Sequence, residues 1–536
     1  MVVLFKNSTL RRLLIAIAFV AITIRNWDDK ELLRALRNAA SSSSTTTTTT
    51  TTPHNAITSR TDGPITTVGY AISITQCNKK FNPFEAAAVL KRSIELNSWP
   101  KHPKSRYASK FYAFIRTSDA ARYNYLSDRC GSQLSLAGWN VIPQEDLVFL
   151  GFIKEPPGSM LRNGIYKDGC CGDSELMKLA AYKLQQHEIA VHLDLDTLVT
   201  NPFDELFNVM HFPPDTEEGK SARKQLVEVV APTYLNRRSS GHPSRGSVNA
   251  TTAEKLLSNI TVNAFYTKDY NMINPNKGGH VEHVGVQGGF LVVRTSMMTH
   301  LKLRDMVYSG EFYGGQDGRT SGWFKSGYGR HIWGSMTIQG LMGHYFDHVD
   351  LEHSVELNRC RYNNIADNAR VSSFAVNAKF PRGTLIAQAR NVSQNSRYNY
   401  VDKECRDGRA SCDDVDCQRF PIDKTRMVHY TYCKNPSKCK PCDYMETYKE
   451  VTCYAFIKEW FRVRSTLPGE DIPHMEDDAF STKVQWMRED GTVDVHQGNC
   501  YKDYMMGFCQ GSGREKYVPM KHRNISLVPD DYTVKV

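Results

Sequence analysis

Two aspartates with one residue between them follow an apolar run near the middle of the chain. The segment reads IAVHLDLDTLVTNPFDELF, from Ile189 to Phe207, and it contains Asp194 and Asp196. If the apolar run is a strand, its alternation places both carboxylates on one face. Open α/β sheets bind ligands at the carboxyl ends of their parallel strands, and paired carboxylates suit Mg²⁺ or Mn²⁺. A solvated strand end is the alternative, because Asp-x-Asp alone is a common pattern.

Two further side chains are candidates for the same site. Lys178 lies on a predicted amphipathic helix from Ser174, its expected N-cap, to His187, directly before the apolar run. His429 lies in a short predicted strand, Met427 to Tyr432. An imidazole beside two carboxylates would complete a three-ligand metal site. A solvated helix lysine and a satisfied core histidine are the alternatives, and the sequence alone leaves them open.

Strands and helices alternate around these residues. Apolar runs predict the strands, and helical spacing of apolar residues predicts the helices. The main predicted elements are strands Val68–Gln76, Lys110–Ile115 and Phe290–Val293, a short strand ending at Ile142, and helices Pro83–Leu96 and Thr337–Phe346. This order predicts a doubly wound α/β domain.

Two long segments do not fit the alternation. The polar stretch from His211 to His283 predicts a surface insertion that is partly irregular. The Gly-rich stretch from Gly310 to Arg330 predicts a flexible loop, with a mobile lid over phosphates as the alternative.

Length and composition limit the possible functions. The 536 residues, 40% hydrophobic and 23% charged, predict one large globular domain with extensions, or two or three domains. The net charge of +10 is modest for this length, so we predict no nucleic-acid partner. The chain contains neither a Gly-x-Ser-x-Gly elbow nor a His-Glu-x-x-His helix, so common serine and zinc hydrolases lack support.

The N-terminus predicts a membrane anchor. Leu13 to Ile24 is a largely apolar run of 12 residues with basic residues before it. This length is typical of a signal-peptide core, and the basic residues favour a cytoplasmic N-terminus. We expect a cytoplasmic tail and uncleaved signal anchor over residues 1–26, with a cleaved signal as the alternative. The predicted location is the Golgi membrane, single-pass type II, with the catalytic domain in the lumen; a secreted protein is the alternative.

A hydroxyl-rich tract follows the predicted anchor. Ser41 to Thr52 contains only serine and threonine, so residues 27–62 are predicted to be a Ser/Thr-rich stem. We expect the main domain over residues 63–445 and a Cys-containing extension over residues 446–536.

The 14 cysteines, most of them in the last third of the chain, allow a disulfide framework or a zinc site. Glycosylation triplets begin at Asn249, Asn259, Asn391 and Asn524. Together with the N-terminus, these triplets favour a secretory lumen, where disulfides are favoured over zinc.

Three blocks of the chain resemble the glycogenin-like family 8 glycosyltransferases, a retaining family with the GT-A fold. The first block is Lys178-Leu179 followed by HLDLDTLVTNPFDELF. The second is VQGGFLVVRTS, from Val286, with TIQGL, from Thr337. The third is VHYTYCKNPSKC, from Val428. The blocks span residues 68–442, and the flanks have no counterpart in the family.

The resemblance implies a fold, a reaction and a cofactor. The fold would be a GT-A, Rossmann-like mixed sheet flanked by helices. Mn²⁺, or Mg²⁺, would bridge the diphosphate of a UDP-sugar donor, and the acceptor would be a glycan or glycoprotein. Ile338 stands where the family has an aspartate, so recognition of the sugar or the acceptor is expected to differ.

The resemblance also implies roles for individual residues. Asp194, Asp196 and His429 would hold the metal ion. Asp196, Gln339 and Lys178 would be the catalytic residues, with Gln339 near the anomeric carbon. The residues implied to contact the donor are Thr75, Gln76, Asn78, Asp194, Gly288, Gly289 and Lys434.

Two other functions stay open at the level of the sequence. One is a non-catalytic, disulfide-rich carbohydrate-binding or scaffold protein that retains the fold. The other is a lumenal zinc protein that uses the C-terminal cysteines.

Overall fold

The structure, a computed structural model, describes most of the chain after residue 62. The chain divides into two units, Met1–Asp62 and Gly63–Val536, and the described residues belong to the second. The predicted signal anchor and stem therefore lie outside the described residues. The described residues are 63–75, 83–116, 129–243, 248–273, 282–314, 320–370, 405, 407, 409, 411–439, 448–467, 508–509 and 512–520. None of the helices within these ranges is long and apolar enough to cross a membrane.

A seven-stranded sheet forms the centre of the described chain. The described strands, inside and outside this sheet, are β1 (Thr66–Ile74), β2 (Tyr107–Arg116), β3 (Asn140–Gln144), β4 (Ile189–Leu193), β5 (Thr197–Val199), β6 (Ala264–Lys268), β7 (Val286–Arg294), β8 (Phe312–Tyr313), β9 (Gly322–Trp323), β10 (Ser354–Glu356) and β11 (Met427–His429). Their order in the main sheet is β10-β6-β7-β4-β1-β2-β3, and only β7 runs antiparallel to its neighbours in that sheet. β5 pairs with β11, and β8 pairs with β9.

Helices flank this sheet, which confirms the mixed α/β class. The α-helices are α1 (Phe84–Leu96), α2 (Arg129–Leu136), α3 (Leu161–Gly164), α4 (Asp204–His211), α5 (Glu217–Leu226), α6 (Pro232–Ser240), α7 (Ala250–Leu257), α8 (Met297–Ser309), α9 (Ile338–His344), α10 (Arg359–Tyr362) and α11 (Tyr448–Ser465). The 3₁₀ helices are Leu150–Phe152, Ile165–Lys167, Gly172–Lys183, Tyr270–Met272, Asp413–Val415, Ile422–Lys424, Pro436–Lys438 and Arg514–Lys516, and a π-helical turn, Tyr345–Val349, follows α9.

The central strand β4 is buried on both faces. Ile189, Val191 and Leu193 pack into one hydrophobic core, whereas Ala190 packs into a second core on the other face. Two covered faces explain the continuous apolar run, because a strand that is covered on both faces has no solvated side. The run that precedes the two aspartates is therefore the middle of the sheet, as predicted.

The surface insertion predicted for His211 to His283 is wrong. This stretch contains three helices, α5 to α7, and strand β6, whose five residues are all buried. Thr267 and Lys268 occupy two of those five positions, and their polar side chains obscured the strand pattern.

Two other local predictions differ from the structure. The helix predicted from Ser174 is a 3₁₀ helix that starts at Gly172, and Ser174 accepts a hydrogen bond from Arg116 instead of capping it. The Gly-rich stretch after Gly310 forms the β8–β9 ribbon in its described part, and Trp323 of that ribbon is fully buried. A large aromatic side chain in the core holds the described part of this stretch as ordered structure, so a plain flexible loop is wrong for that part.

Disulfides link segments of the chain that follow β10, which confirms the disulfide framework. The described pairs are Cys360–Cys417, Cys405–Cys412, Cys433–Cys453 and Cys439–Cys509. Because these cysteines are bonded to one another, the zinc alternative is wrong for them. Cys442 and Cys500 lie outside the described residues.

Candidate functional site

The candidate site begins where β4 ends. The main-chain N–H of Asp194, the first residue after the strand, donates to the carbonyl of Gly289 on β7 at 3.1 Å. Thr197 Oγ1 donates to the carbonyl of Asp194 at 2.7 Å and closes a tight turn. Both aspartates thus lie in this turn, so the prediction that strand alternation aligns them is wrong. The turn, and not the pleat, directs the two carboxylates.

The two-stranded sheet of β5 and β11 brings His429 to this turn. Thr197 pairs with His429 in that sheet, and the N–H of Tyr430 donates to the carbonyl of Asp196 at 2.8 Å. The N–H of His429 donates to the carbonyl of Asn364 at 2.9 Å. These main-chain bonds fix the imidazole beside both carboxylates.

Asp194, Asp196 and His429 each offer one ligand atom within 4.8 Å of the others. His429 Nε2 lies 3.2 Å from Asp196 Oδ1. The imidazole is buried, whereas the Asp196 side chain is 43% exposed and the Asp194 side chain 27%. The group therefore has a protected wall and an open side through which a ligand can reach it. We name these three residues the acidic cluster.

A second hydrogen bond orients the histidine ring. His429 Nδ1 lies 3.2 Å from Asn363 Oδ1, and Asn363 Nδ2 donates to Thr267 Oγ1 at 3.0 Å. Because the amide oxygen can only accept, Nδ1 carries a proton, and in the neutral ring Nε2 presents its lone pair to the carboxylates. Metal-binding histidines are commonly oriented in this way. Sequence reasoning missed Asn363, whose role depends on packing against β6.

Lys178 lies between two carboxylates. Its Nζ is 2.8 Å from Asp194 Oδ1 and 2.9 Å from Glu175 Oε2, and the lysine and glutamate side chains are buried. Burial lowers the pKa of Lys178, but the two carboxylates outweigh burial and raise it above its ordinary value. Sequence reasoning missed Glu175, although its position three residues before Lys178 on a predicted helix was a usable signal.

The same contacts set the charge states of the acidic cluster. Burial raises the pKa of Asp194, but Lys178 and His429 outweigh that effect and lower the pKa to about 2. Burial lowers the pKa of His429, but Asp196 and Asp194 outweigh it and raise the pKa above its ordinary value. Asp194 is therefore ionised at neutral pH, and His429 binds protons more readily than a free histidine when no cation competes.

Two glycines of β7 border the acidic cluster. A Cβ on Gly289 would overlap the His429 ring and lie 2.9 Å from Asp194 Oδ2. A Cβ on Gly288 would lie 2.8 Å from Ile338 Cγ2 and 3.4 Å from Lys178 Nζ. The absence of side chains at these two positions is what lets β7 pass so close to the charged groups.

Among the described residues, the structure does not bring the other expected ones into contact with the acidic cluster. Gln339 is buried in α9, where its Oε1 accepts from Thr337 Oγ1 at 3.0 Å. Thr75, just after β1, donates to Cys171 Sγ at 3.3 Å. Lys434 lies in an exposed turn after β11, with its Nζ 3.5 Å from the Thr431 carbonyl. Gln76 and Asn78 lie outside the described residues.

The charges of this site favour a divalent cation. The site holds three carboxylates, of which Glu175 and Asp194 pair with the ammonium of Lys178 and Asp196 lies against His429, which is neutral whenever it serves as a ligand. These groups thus carry a net charge of −2 beside a partly exposed opening. Mn²⁺ binds both carboxylate oxygens and imidazole nitrogens, so this donor set suits it. Mg²⁺ suits the carboxylate oxygens. The donor set fits the expected metal.

Comparisons with known proteins give likenesses among solved structures. No family model matches the chain, and no curated protein matches it. The bifunctional glycosyltransferase WbbM (apo form) is 14% identical, with a TM-score of 0.29 over 77% of this chain and 52% of WbbM. Mouse xyloside xylosyltransferase 1 (apo form) is 10% identical, with a TM-score of 0.28 over 57% of this chain and 89% of that one.

The galactosyltransferase LgtC, in complex with donor and acceptor sugar analogues, is 12% identical. Its TM-score is 0.28 over 75% of this chain and 96% of LgtC. The chain spans about half the length of WbbM. At these identities and TM-scores the likenesses assign no function, and the resemblance to family 8 stays a prediction.

Proposed function

We propose that this chain is a metal-dependent, retaining glycosyltransferase that moves a hexose or uronic acid from a UDP-sugar to a glycan or glycoprotein. One observation carries the proposal: Asp194, Asp196 and His429 converge with Lys178 at the carboxyl end of the central strand. These residues come from separate blocks that resemble family 8, and the fold brings them together. A catalytic site that uses all of them explains why they meet.

The chain's own residues have distinct roles in this proposal. The acidic cluster would hold Mn²⁺, with Asn363 keeping the His429 Nε2 lone pair directed at the ion. Bound Mn²⁺ would supply positive charge to the diphosphate that leaves as the sugar bond breaks. Lys178, anchored by Glu175, would add a fixed ammonium on the same side. Gly288 and Gly289 would admit the donor to the β7 main chain.

We further propose that the fold belongs to the GT-A class and that the enzyme acts in the Golgi lumen, anchored through residues 1–26 and held by the stem, residues 27–62. The bonded cysteines support an oxidising compartment, because disulfides persist in the secretory pathway and are rare in the cytosol. The catalytic domain would span residues 63–445, and residues 446–536 would form the extension.

The test measures UDP release by the full-length protein, expressed in a secretory host, from a panel of UDP-sugars. Each donor is assayed with Mn²⁺, with a chelator, and with the variants Asp196→Ala and Asp305→Ala. Asp305 is the matched control, because it is a 65% exposed carboxylate on α8 that pairs with the neighbouring Arg304. We expect Mn²⁺-dependent release from one donor that Asp196→Ala abolishes and Asp305→Ala preserves.

Two other outcomes are informative. Mn²⁺-dependent UDP binding without release would keep the proposal and direct the search to the acceptor. Neither release nor Mn²⁺-dependent UDP binding by the folded protein would overturn it and favour a non-catalytic carbohydrate-binding or scaffold role.

A further inference from the structure

Two adjacent cysteines lie in a turn beside the acidic cluster. Cys170 is exposed and Cys171 is half-buried, and their sulfur atoms are 2.8 Å apart. Among the residues that the structure describes, these are the two cysteines outside disulfides. The other described cysteines are disulfide-bonded, which supports the proposed oxidising compartment. An adjacent pair of cysteines outside the disulfide framework, with sulfur atoms this close, is placed to form a bond of its own.

The turn that carries this pair is held on both sides by glycines. Gly169 has φ +69° and Gly172 has φ +61°, a region that side chains other than glycine rarely adopt. The N–H of Gly172 donates to the carbonyl of Asp168 at 3.1 Å, and a Cβ on Gly172 would overlap the carbonyl of Tyr166. The tight turn therefore keeps the two thiols side by side.

The pair is connected to the acidic cluster through charged side chains. Cys170 Sγ donates to Glu175 Oε1 at 2.6 Å. The other oxygen of Glu175 pairs with Lys178, and Lys178 pairs with Asp194. Glu175 is thus a positioning residue, since it acts on the cluster only through Lys178. Glu175 and Asp194 both attract the ammonium of Lys178. A change in the hydrogen bond from Cys170 to Glu175 therefore changes how strongly Glu175 competes with Asp194 for that ammonium.

The surroundings of Cys171 favour its reactive form. The Thr75 hydroxyl donates to Cys171 Sγ at 3.3 Å and favours its thiolate, whereas the thiol hydrogen of Cys170 is held by Glu175. Thiolates, and not thiols, attack disulfides, so Cys171 is the better nucleophile of the two.

We propose that Cys170 and Cys171 form a redox-modification site, where exchange with an external disulfide closes a bond between them and weakens binding of the donor nucleotide. The Cys171 thiolate attacks one sulfur of the external disulfide and releases the first external thiolate. The Cys170 thiolate then attacks Cys171 Sγ and releases the second. The two cysteines are oxidised, the external disulfide is reduced to two thiols, and these take up the two cysteine protons.

Closing the bond removes the thiol hydrogen from Glu175. A disulfide sulfur has no hydrogen to donate, so the buried Glu175 carboxylate would lose its hydrogen bond from Cys170 and keep its ion pair with Lys178. Glu175 would then attract Lys178 more strongly and draw it from Asp194. The effect on donor binding rests on the proposed function, whereas closure of the disulfide does not. We expect the Kd for UDP with Mn²⁺ to rise roughly tenfold on closure.

The first experiment tests closure in the full-length protein. The protein is equilibrated in glutathione buffers of different redox potential, and its free thiols are alkylated. The mass of the peptide that contains both cysteines is then measured by mass spectrometry. We expect a reversible loss of two hydrogen atoms from this peptide in oxidising buffer, with no bound glutathione. Alkylation of both thiols at every potential, a persistent mixed disulfide, or a Zn²⁺ ion held by the pair and Glu175 would overturn the proposal.

The second experiment measures UDP binding with Mn²⁺ in oxidising and reducing buffers. Cys171→Ser cannot close the bond but keeps the contact from Cys170 to Glu175, so we expect tight binding in both buffers. Cys170→Ser keeps a hydroxyl donor and should behave alike, whereas Cys170→Ala lacks the donor and should bind weakly in both. If Cys170→Ser keeps the tight UDP binding that Cys170→Ala loses, the hydrogen bond to Glu175 controls the affinity, and a merely structural effect of the substitution does not.

The outcomes distinguish this proposal from the proposed function. Equal UDP affinity of the open and closed forms, or weak binding by Cys170→Ser, would overturn the effect on the nucleotide. If the bond closes but no form binds UDP with Mn²⁺, the proposed function fails and the redox-modification site is supported.

Discussion

Two charged clusters lie at the carboxyl edge of the same sheet, and they differ in how their charges are compensated. The first is the acidic cluster with Lys178 at the end of β4. The second contains Lys268, the last residue of β6, and Glu356, the last of β10, together with Asp347 and Arg237. We name this second group the closed cluster, because the side chains of all four residues are almost completely buried.

The closed cluster is neutral within itself. Two acids face two bases: Asp347 pairs with Arg237 and lies 2.7 Å from Lys268, and Lys268 lies 3.4 Å from Glu356. Tyr266 adds a hydrogen bond to Asp347 at 2.9 Å. Counted with Glu175 and Lys178, and with His429 neutral as a metal ligand, the acidic cluster keeps a net charge of −2 and an opening to solvent. Position at the carboxyl edge is therefore not sufficient for a ligand site, and the surplus charge and exposure make the difference.

The largest expected effect is on stability, from Asp347→Asn in the closed cluster. This change leaves Arg237 and Lys268 buried without their shared carboxylate, so we expect a loss of about 3–5 kcal/mol in the free energy of unfolding. Urea unfolding of the full-length protein measures it. Asp196→Asn is the matched variant and should change this free energy by less than about 0.5 kcal/mol, since Asp196 is partly exposed. Equal losses would contradict the distinction between the clusters.

The second prediction concerns activity and rests on the proposed function. Asp196→Asn keeps the size of the side chain but removes one metal-binding charge, so we expect Mn²⁺-dependent UDP release to fall at least about a hundredfold. Steady-state release from the preferred donor measures the fall. Asp305→Asn serves as the control. Full activity of Asp196→Asn would show that the Asp196 carboxylate is not needed to bind the metal.

A third, smaller effect is expected from the close approach of β7. Gly289→Ala places a methyl group against the His429 ring and Asp194, so the ligand atoms must move apart. We expect Mn²⁺ to bind roughly tenfold more weakly. Titration with Mn²⁺ by calorimetry tests this. Gly151→Ala is the control, because a Cβ there meets no atom within 4 Å, and unchanged affinity in Gly289→Ala would contradict the assigned geometry.

The smallest effect is a pH dependence that only the acidic cluster should show. In the metal-free protein Asp196 and Asp194 raise the pKa of His429, so protonation competes with Mn²⁺. Mn²⁺ affinity should rise with pH by at most about tenfold per unit and level off above that pKa. Without metal, the stability that protonated His429 contributes is present below the unfolded pKa and is lost as pH rises through the folded one.

Mn²⁺ affinity measured between pH 5 and 8 tests the role of His429. His429→Gln should bind Mn²⁺ more weakly and with a flatter pH profile. Asp347 of the closed cluster should stay ionised in this range, because Arg237 and Lys268 outweigh burial and hold the pKa of Asp347 below its usual range. A wild-type profile as flat as that of His429→Gln would exclude the histidine as a ligand.

Much of the fold was predictable from local pattern. The strands β1, β2, β4 and β7 and the helices α1 and α9 appear where periodicity predicted them, within a few residues at their ends. Strand β6 was missed because it is short and contains Lys268, whose charge is compensated by residues distant in sequence. A local pattern records burial of apolar residues, and it fails where burial of a charge depends on a distant partner.

The sequence by itself determined the apolar central strand, the two aspartates after it and the supply of cysteines for disulfides. Each of these is local, since a strand, a turn and a residue type are encoded by neighbouring positions. Only the tertiary structure decided that β5 pairs with β11, which carries His429 to the aspartates. It also decided that Asp194 keeps an opening to solvent while Asp347 is enclosed by two cations. Strand pairing and charge compensation join residues far apart in sequence, so packing, and not local pattern, sets which carboxylates stay available to a ligand.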